Sequence, residues 1–263
     1  MKRITQVIAL ITFIGTLYVN YLSNTGEINN ETMASVSRQY FTLFTPAGYA
    51  FSIWGLIYLG QALFLIKMCA DIFKTNDENE LPQKFGFYFI AINLLNTIWV
   101  FMWLNHYTGL SVIVMFLLLI CLLAILFIEQ INTSKAPLKQ YIFVRWPFSL
   151  YLGWIIAASI ANTAAYLIKI GYSGAPLSMT IWTYVMIAVA MIVYLFMLWK
   201  RNTDVLALVG IWALVAIGVA RYHQVVEISW FAFACAIILF VNIAVHRYKI
   251  IKNNASVRAG SDH

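Results

Sequence analysis

The sequence has very little charge. Only 10% of its 263 residues are Asp, Glu, Lys or Arg, whereas 62% are hydrophobic, and the mean hydropathy is +0.81. A soluble domain needs far more charged surface, so that class of protein is excluded. The 17 basic residues outnumber the 10 acidic ones, but they lie between apolar stretches and form no patch on a polar domain, which argues against a nucleic-acid partner.

The apolar stretches also lack the ionisable residues that several membrane functions require. No lysine lies at the middle of a stretch, so a retinal Schiff base has no candidate, and no central Asp or Glu is present for proton- or sodium-coupled transport. The three cysteines are well separated, which predicts packing rather than a redox or metal role. The histidines lie near the ends of stretches or in the tail, which argues against a bis-histidine haem: His106, His223, His246 and His263.

Eight apolar stretches are long enough to cross the roughly 30 Å hydrocarbon core of a bilayer. They are Ile4–Leu22, Pro46–Ala70, Phe85–Leu104, Gly109–Ile128, Trp146–Ile168, Met179–Trp199, Val205–Ala220 and Ile228–Val245. With eight crossings, fourteen Lys and Arg residues fall on one side and only Arg38, Lys169 and Arg221 on the other. This bias predicts an all-α polytopic helix bundle in a bacterial cytoplasmic membrane, with both termini in the cytoplasm.

Three of the stretches carry a tryptophan and a second polar or aromatic side chain on one helix face. The pairs are Trp54 with Tyr58, Asn96 with Trp99, and Trp154 with Asn162. Because an unsatisfied amide in hydrocarbon costs a few kcal/mol, such faces are expected to meet a partner or a cavity rather than lipid. The pattern predicts an aromatic cavity edged by amides, although the asparagines would serve equally as hydrogen bonds between helices.

The fifth stretch carries two neighbouring stripes. Residues 153, 157, 161 and 165 are Gly or Ala, which predicts close packing against another helix, while Trp154, Ala158, Asn162 and Tyr166 are predicted to face a space. The loop Ser23–Thr45 would either cover the mouth of the bundle as a lid or be an ordinary surface loop. Four further tryptophans near the ends of stretches are expected to be anchors at the membrane interface: Trp103, Trp146, Trp199 and Trp230.

These residues resemble the motifs of the tryptophan-rich sensory protein family, also called the translocator protein or TspO/MBR family. Thr45–Tyr58 resembles the proline-led second helix with its W-x-x-x-Y, and Leu95–Trp99 resembles the L-N-x-x-W of the third. Trp154, Ala158 and Asn162 match the W-x3-A-x3-N of the fifth. The resemblance covers about Pro46–Tyr166, and the three helices after Ile168 have no counterpart in the family's five-helix fold.

The resemblance implies a five-helix unit at residues 1–168, followed by three additional membrane helices at 169–247 and a basic cytoplasmic tail at 248–263. It also implies binding of a tetrapyrrole such as a porphyrin or haem, or of a sterol-like lipid, by a sensor, sequestering protein or translocator. No cofactor is required, and the expected partners are membrane lipid, a hydrophobic small molecule and a second copy in a homodimer. The expected ligand-binding residues are Trp54, Tyr58, Asn96, Trp99, Trp154, Ala158 and Asn162.

Two other functions fit the same sequence. The last three helices would complete a pathway in a permease for a small apolar or zwitterionic solute. A membrane enzyme acting on a lipophilic substrate would use Tyr58, or the group Arg221, His223 and Glu227 at the outer ends of the last two helices. A short charged loop explains that group equally well.

Overall fold

The structure, a computed structural model, describes residues 2–73, 79–129, 137–172 and 174–260, with side chains to residue 252. Eight helices are long and apolar enough to cross a membrane: α1 (Lys2–Thr25), α2 (Ile53–Cys69), α3 (Leu81–Leu104), α4 (Thr108–Ile128), α5 (Trp146–Lys169), α6 (Met179–Arg201), α7 (Asp204–Arg221) and α8 (Val226–Gly260). No β-strand occurs among the described residues. The predicted all-α bundle of about eight membrane helices is therefore confirmed.

Helix α8 is longer than the apolar pattern indicated. The predicted span ends at Val245, whereas the helix continues to Gly260. Neither glycine nor proline interrupts the chain between these two residues, so nothing stops the helix once the apolar stretch has ended. Most of the predicted basic tail is therefore helical.

Short helical elements lie in the connections between the membrane-length helices. The loop helix Met33–Gln39 lies in the connection after α1, and Thr32 caps it through a reciprocal capping box with Ser35. A 3-10 turn at Gly48–Ser52 leads into α2. A π-helical turn at Tyr141–Arg145 leads into α5.

The helices form two groups that meet along α7. Helix α1 packs on α3, α3 on α4, and α4 on α5, while α2 packs mainly on α5. Helices α6 and α8 both pack on α7, which itself lies against α5. A Cβ at Gly153 of α5 would come 2.9 Å from Cβ of Val209 and 3.1 Å from the Leu206 carbonyl. The glycine therefore permits the close approach of α5 to α7.

Helix α7 also holds the segment that precedes α2. The backbone N–H of Ala47 donates to the Ala216 carbonyl at 3.0 Å, and Nε1 of Trp212 donates to the Ala50 carbonyl at 3.1 Å. These two bonds hold the 3-10 turn and the residue before it against α7. The division into a five-helix unit and a three-helix unit stays a prediction, but α7 contacts both.

Candidate functional site

The three indoles singled out from the sequence converge inside the bundle. The ring centroid of Trp54 lies 6.1 Å from that of Trp99 and 6.4 Å from that of Trp154. Trp99 and Trp154 are almost fully buried. Tyr58 stacks on Trp54 at 5.6 Å with an interplanar angle of 20°. The prediction that these rings meet, rather than point outward at lipid, is confirmed.

A cavity adjoins the indoles, and its empty space is about 680 Å³ with its mouth included. Its lining combines aromatic side chains with the alanines of α5. The residues that form it are Met33, Ser37, Tyr40, Phe44, Thr45, Pro46, Phe51, Trp54, Trp99, Trp103, Trp154, Ala157, Ala158, Ala161, Asn162, Ala165, Ala213 and Ile217.

The loop after α1 forms the roof of the cavity, which supports the first of the two readings of this loop. Met33, Tyr40 and Phe44 of this loop line the cavity. The Tyr40 hydroxyl and His106 Nδ1 are 3.1 Å apart, and His106 Nε2 lies 3.5 Å from a carboxylate oxygen of Glu31. Burial, and then the negative charge of Glu31, raise the pKa of Tyr40 above its ordinary value of 10.0. The phenol is thus neutral at physiological pH and ties the roof to the α3–α4 turn.

Asn162 lies at the cavity wall, but its amide already bonds neighbouring helices. Its Oδ1 accepts a hydrogen bond from Nε1 of Trp99 at 2.8 Å, and its Nδ2 donates to the Ser111 hydroxyl at 2.9 Å. The side chain therefore joins α5 to α3 and α4 and fixes the orientation of the Trp99 indole.

Asn96 does not line the cavity. Its Nδ2 donates to the Tyr151 hydroxyl at 3.0 Å, and its Oδ1 accepts from Nδ2 of Asn20 at 2.8 Å. Both ends of the amide are used in joining α1, α3 and α5. Of the two roles that the sequence left open for this asparagine, the structure supports the bond between helices.

The seven predicted residues therefore divide into two sets. Those at the cavity are Trp54, Trp99, Trp154, Ala158 and Asn162. Asn96 belongs to the network just described, and Tyr58 lies beside a separate groove that Trp54 also lines. Tyr58 is not among the residues that line the cavity, so its role in ligand binding stays a prediction.

Two expectations, one about Trp103 and one about the two stripes of α5, were wrong. Trp103 lines the cavity and stacks on Trp99 with centroids 6.2 Å apart, rather than anchoring the chain at an interface. Its spacing of four residues from Trp99 was the signal that places both on one face. On α5, the alanines at positions 157, 161 and 165 face the cavity, whereas Tyr166 packs on Gly109, where a Cβ would lie 3.1 Å from its ring.

Two polar groups beside these spaces have no hydrogen-bond partner among the described residues. They are Nε1 of Trp154, which lines the cavity, and the hydroxyl of Tyr58. A buried donor left unsatisfied costs about 1–3 kcal/mol. Both atoms are almost inaccessible, so a ligand acceptor would reach either of them only after a small movement of the side chains.

The basic residue at the C-terminal end of α7 contacts the roof. Arg221 is buried, donates to the Thr45 carbonyl at 3.4 Å and to Oε1 of Gln224 at 2.6 Å, and stacks on Phe41 at 4.4 Å. Arg221 thus holds the loop in place. Among the described residues, no three His, Cys, Asp or Glu side chains are close enough together to hold a metal ion.

Comparison with known proteins places the whole bundle in one family. A family model described as "TSPO-like protein" matches residues 6–245, whereas searches of curated proteins and of solved structures returned no match. The matched region extends through α6, α7 and most of α8, so the expectation that the last three helices have no counterpart in the family was wrong. The chain is an integral membrane protein that belongs to the family of TSPO-like proteins.

Proposed function

We propose that this protein binds a hydrophobic aromatic ligand, a tetrapyrrole such as a porphyrin or haem, or a sterol-like lipid, in the cavity beneath the loop helix. The observation that carries the proposal is the convergence of Trp54, Trp99 and Trp154 on one cavity inside the bundle. Indole faces suit stacking with flat ligands. The protein acts as a sensor, sequestering protein or translocator for this ligand.

The distances indicate where a flat ligand would lie. A planar molecule stacked between two rings needs about 7 Å between them, because each carbon contact takes about 3.5 Å. The centroids of Trp54 and Trp99 are only 6.1 Å apart, so the ligand would lie against the indole wall rather than between these rings. The small side chains of Ala157, Ala158 and Ala161 leave the required space opposite.

The one unsatisfied donor at the cavity would orient the ligand. Nε1 of Trp154 has no partner among the described residues, whereas Nε1 of Trp99 is occupied by Asn162. A carboxylate or carbonyl oxygen at the edge of the ligand would accept a hydrogen bond from Trp154. Its contribution to affinity is expected to be about two- to ten-fold, corresponding to roughly 0.5–1.5 kcal/mol.

Porphyrin titration of the purified protein, followed by tryptophan fluorescence, tests this proposal. Saturable quenching is expected for the wild type, weaker affinity for Trp154→Phe, and loss of saturation for Ala158→Phe, whose ring would fill the cavity. Trp230→Phe is the matched control because Trp230 is 60% exposed. Quenching that never saturates, or that responds equally to the Trp154 and Trp230 variants, would refute the proposal. A sterol added as competitor distinguishes the two ligand classes.

A permease is the second candidate, favoured by the contribution of α7 to the cavity. Ala213 and Ile217 of this helix line the same space as the indoles. Helix α7 is therefore part of the site itself. Flux of a bound ligand across the membrane of sealed vesicles separates the two functions, because a protein that only binds releases ligand on the side where it was added.

The proposed orientation in a bacterial cytoplasmic membrane places the roof outside and the α6–α7 turn in the cytoplasm. Single cysteines replacing Arg38 and Lys200, in a variant without the three native cysteines, test this with a membrane-impermeant maleimide on intact cells. Only the cysteine at position 38 is expected to react. Reaction at position 200 alone would reverse the orientation.

A further inference from the structure

A cluster of charged and polar side chains closes the end of the bundle opposite the roof, which is the cytoplasmic end in the proposed orientation. The carboxylate of Glu129, directly after α4, lies 3.4 Å from Nζ of Lys84 on α3 and 3.5 Å from Nε of Arg145. Nε2 of Gln140 donates to the same carboxylate. The side chains of Glu129 and Arg145 are each only 1% exposed. These four residues, the Glu129 cluster, join the ends of α3 and α4 to the segment that leads into α5.

A layer of phenylalanine rings lies between the Glu129 cluster and the central cavity. The rings of this phenylalanine layer are at most 1% exposed, and they belong to Phe64, Phe85, Phe89 and Phe148. The Phe64 ring contacts the other three at centroid distances of 4.8–6.2 Å. On the cavity side, Tyr151 follows Phe148 by three residues on α5, and its ring lies 5.7 Å from that of Trp54. The cluster, the layer and the indoles of the cavity therefore follow one another along the bundle.

The Glu129 cluster covers the phenylalanine layer from the cytoplasmic side. Lys84, Glu129 and Gln140 line a depression at this end of the bundle, together with Phe85 of the layer. The ammonium group of Lys84 lies 5.1 Å from the centre of the Phe85 ring, and the ring is fully buried. Displacement of the cluster would therefore expose the layer to the depression.

The segment that leads into α5 is attached to that helix at a weak point. It consists of the short helix Leu138–Gln140 and the π-helical turn Tyr141–Arg145, and such turns occur frequently at functional sites. Pro147, the second residue of α5, has no N–H with which to continue the backbone bonding. Gly60 of α2 packs against it, since a Cβ at Gly60 would come 3.2 Å from Cα of Pro147. Pro147 is thus a fixed pivot for the segment before it.

The charges of the Glu129 cluster make this contact easier to open than an apolar contact of the same size. Glu129 and Arg145 lose hydration when they are buried, and their attraction repays that loss only in part, so a buried ion pair adds little net stability. When the segment turns away, water hydrates both charges again. Separation of apolar surfaces brings no such return, because it exposes them to water.

We propose that the Glu129 cluster and the phenylalanine layer form a gate, which closes a second exit from the central cavity toward the cytoplasm. The gate opens when residues 138–145 turn about Pro147 and carry Gln140 and Arg145 away from Glu129. This movement uncovers the phenylalanine layer, and rotation of its rings completes the exit. The role of the gate rests on the second candidate function, transport, because a protein that only binds its ligand needs a single entrance.

Thiol labelling tests the gate without any ligand. Ala158→Cys, in the variant without native cysteines, places one thiol at the cavity, and inside-out vesicles present the cytoplasmic face to a membrane-impermeant methanethiosulfonate. Glu129→Gln is expected to raise the labelling rate from this face roughly ten-fold or more, since it removes the charge that holds Lys84 and Arg145. Labelling from the outer face, on intact cells, is expected to stay the same. An equal rise on both faces, or no rise on either, would overturn the proposal.

The matched control is a second buried ion pair at the same end of the bundle. Asp204, at the start of α7, is 7% exposed, lies 3.3 Å from Nδ1 of His246 and also pairs with Arg247. Helices α7 and α8 contribute no ring to the phenylalanine layer. Asp204→Asn is therefore expected to lower the melting temperature, as Glu129→Gln does, without raising the labelling rate. Equal rises in the two variants would show general loosening of the bundle and would refute the gate.

A milder variant keeps the test decisive if Glu129→Gln fails to fold. The side chain of Lys84 is 41% exposed, so Lys84→Gln disturbs the fold less and is expected to raise labelling about two- to five-fold. Lys67→Gln is its control, because Lys67 lines the same depression but forms no ion pair with Glu129. Equal labelling in the two lysine variants would contradict the proposal.

The outcomes separate the gate from the proposed function. Labelling that follows these expectations, without porphyrin flux across vesicles in any variant, would support the gate and refute transport. Saturable porphyrin quenching, together with labelling that no variant changes, would refute the gate and leave ligand binding in place.

Discussion

The hydrogen bond between Trp99 and Asn162 provides the most decisive test of how the cavity is built. Asn162→Ala removes the acceptor 2.8 Å from the Trp99 indole and the amide that donates to Ser111. Asn162 and Trp99 are only 3% and 5% exposed, so water cannot replace the lost acceptor. The Ser111 hydroxyl retains its bond to the Thr108 carbonyl at 2.7 Å, so the main loss is at the indole.

The expected loss of stability has two contributions, the unsatisfied indole donor and the lost hydrogen bond between helices. An unsatisfied buried donor costs about 1–3 kcal/mol, and an interhelical hydrogen bond in a membrane protein contributes on average roughly 0.6 kcal/mol. Asn162→Ala should therefore lower the free energy of unfolding by about 1–3 kcal/mol. At about 2–4 °C per kcal/mol for a chain of this size, the melting temperature falls by roughly 2–12 °C.

The chain contains its own matched control. Nε1 of Trp199 donates to Oδ1 of Asn242 at 3.0 Å, which is the same chemical pair, but Trp199 is 38% exposed. Asn242→Ala is expected to change stability by less than about 0.5 kcal/mol, because an exposed indole finds another partner. Thermal unfolding of both variants in detergent compares them directly.

A double-mutant cycle then assigns the effect to the bond itself. Trp99→Phe removes the donor, so Asn162→Ala should cost clearly less in that background than in the wild type. Equal losses for the Asn162 and Asn242 variants, or strictly additive losses in the cycle, would refute this account of the cavity wall.

Three further perturbations address the contacts around the cavity. Gly153→Ala should disturb the contact of α5 with α7 and lower the melting temperature by several degrees, whereas Gly15→Ala, with no atom near the added methyl, should not; similar effects would contradict the packing. The raised pKa of Tyr40 beside Glu31 means that the unfolded chain loses this proton first as the pH rises above about 10. Wild-type stability should therefore fall with rising pH in that range relative to Tyr40→Phe, and parallel profiles would be the negative result. Trp212→Phe removes the bond from α7 to the turn before α2 and should weaken porphyrin affinity in the quenching titration; unchanged affinity would show that this bond does not position the cavity.

Much of the bundle was predictable because the bilayer imposes a strong length requirement. Every membrane-spanning helix needs about 20 apolar residues, so eight stretches give eight helices even where the seventh is short. The positions of Trp54, Trp99 and Trp154 were predictable for a similar reason, since a polar or aromatic partner at helical spacing marks the face turned away from lipid.

The roles of individual side chains at that face were less predictable. Asn96 and Asn162 share the same chemistry and the same kind of helix face, yet one bonds Asn20 and Tyr151 away from the cavity and the other lies at its wall. Spacing along one helix gives the direction of a side chain but not the identity of the residue opposite. The same limit applies to Tyr58, which lines the neighbouring groove.

The amino-acid sequence alone determined the number of membrane helices, their approximate bounds and the aromatic character of the interior, because each depends on local hydrophobicity and helical period. Only the tertiary structure decided that α7 closes the cavity with Ala213 and Ile217, and that Trp54 separates this cavity from a neutral groove. Those features depend on which helices become neighbours. The apolar side chains that α7 places at the cavity carry no sequence pattern that distinguishes a cavity wall from ordinary packing. Contacts between residues more than 150 positions apart, such as Trp212 with Ala50, are established only when the chain folds.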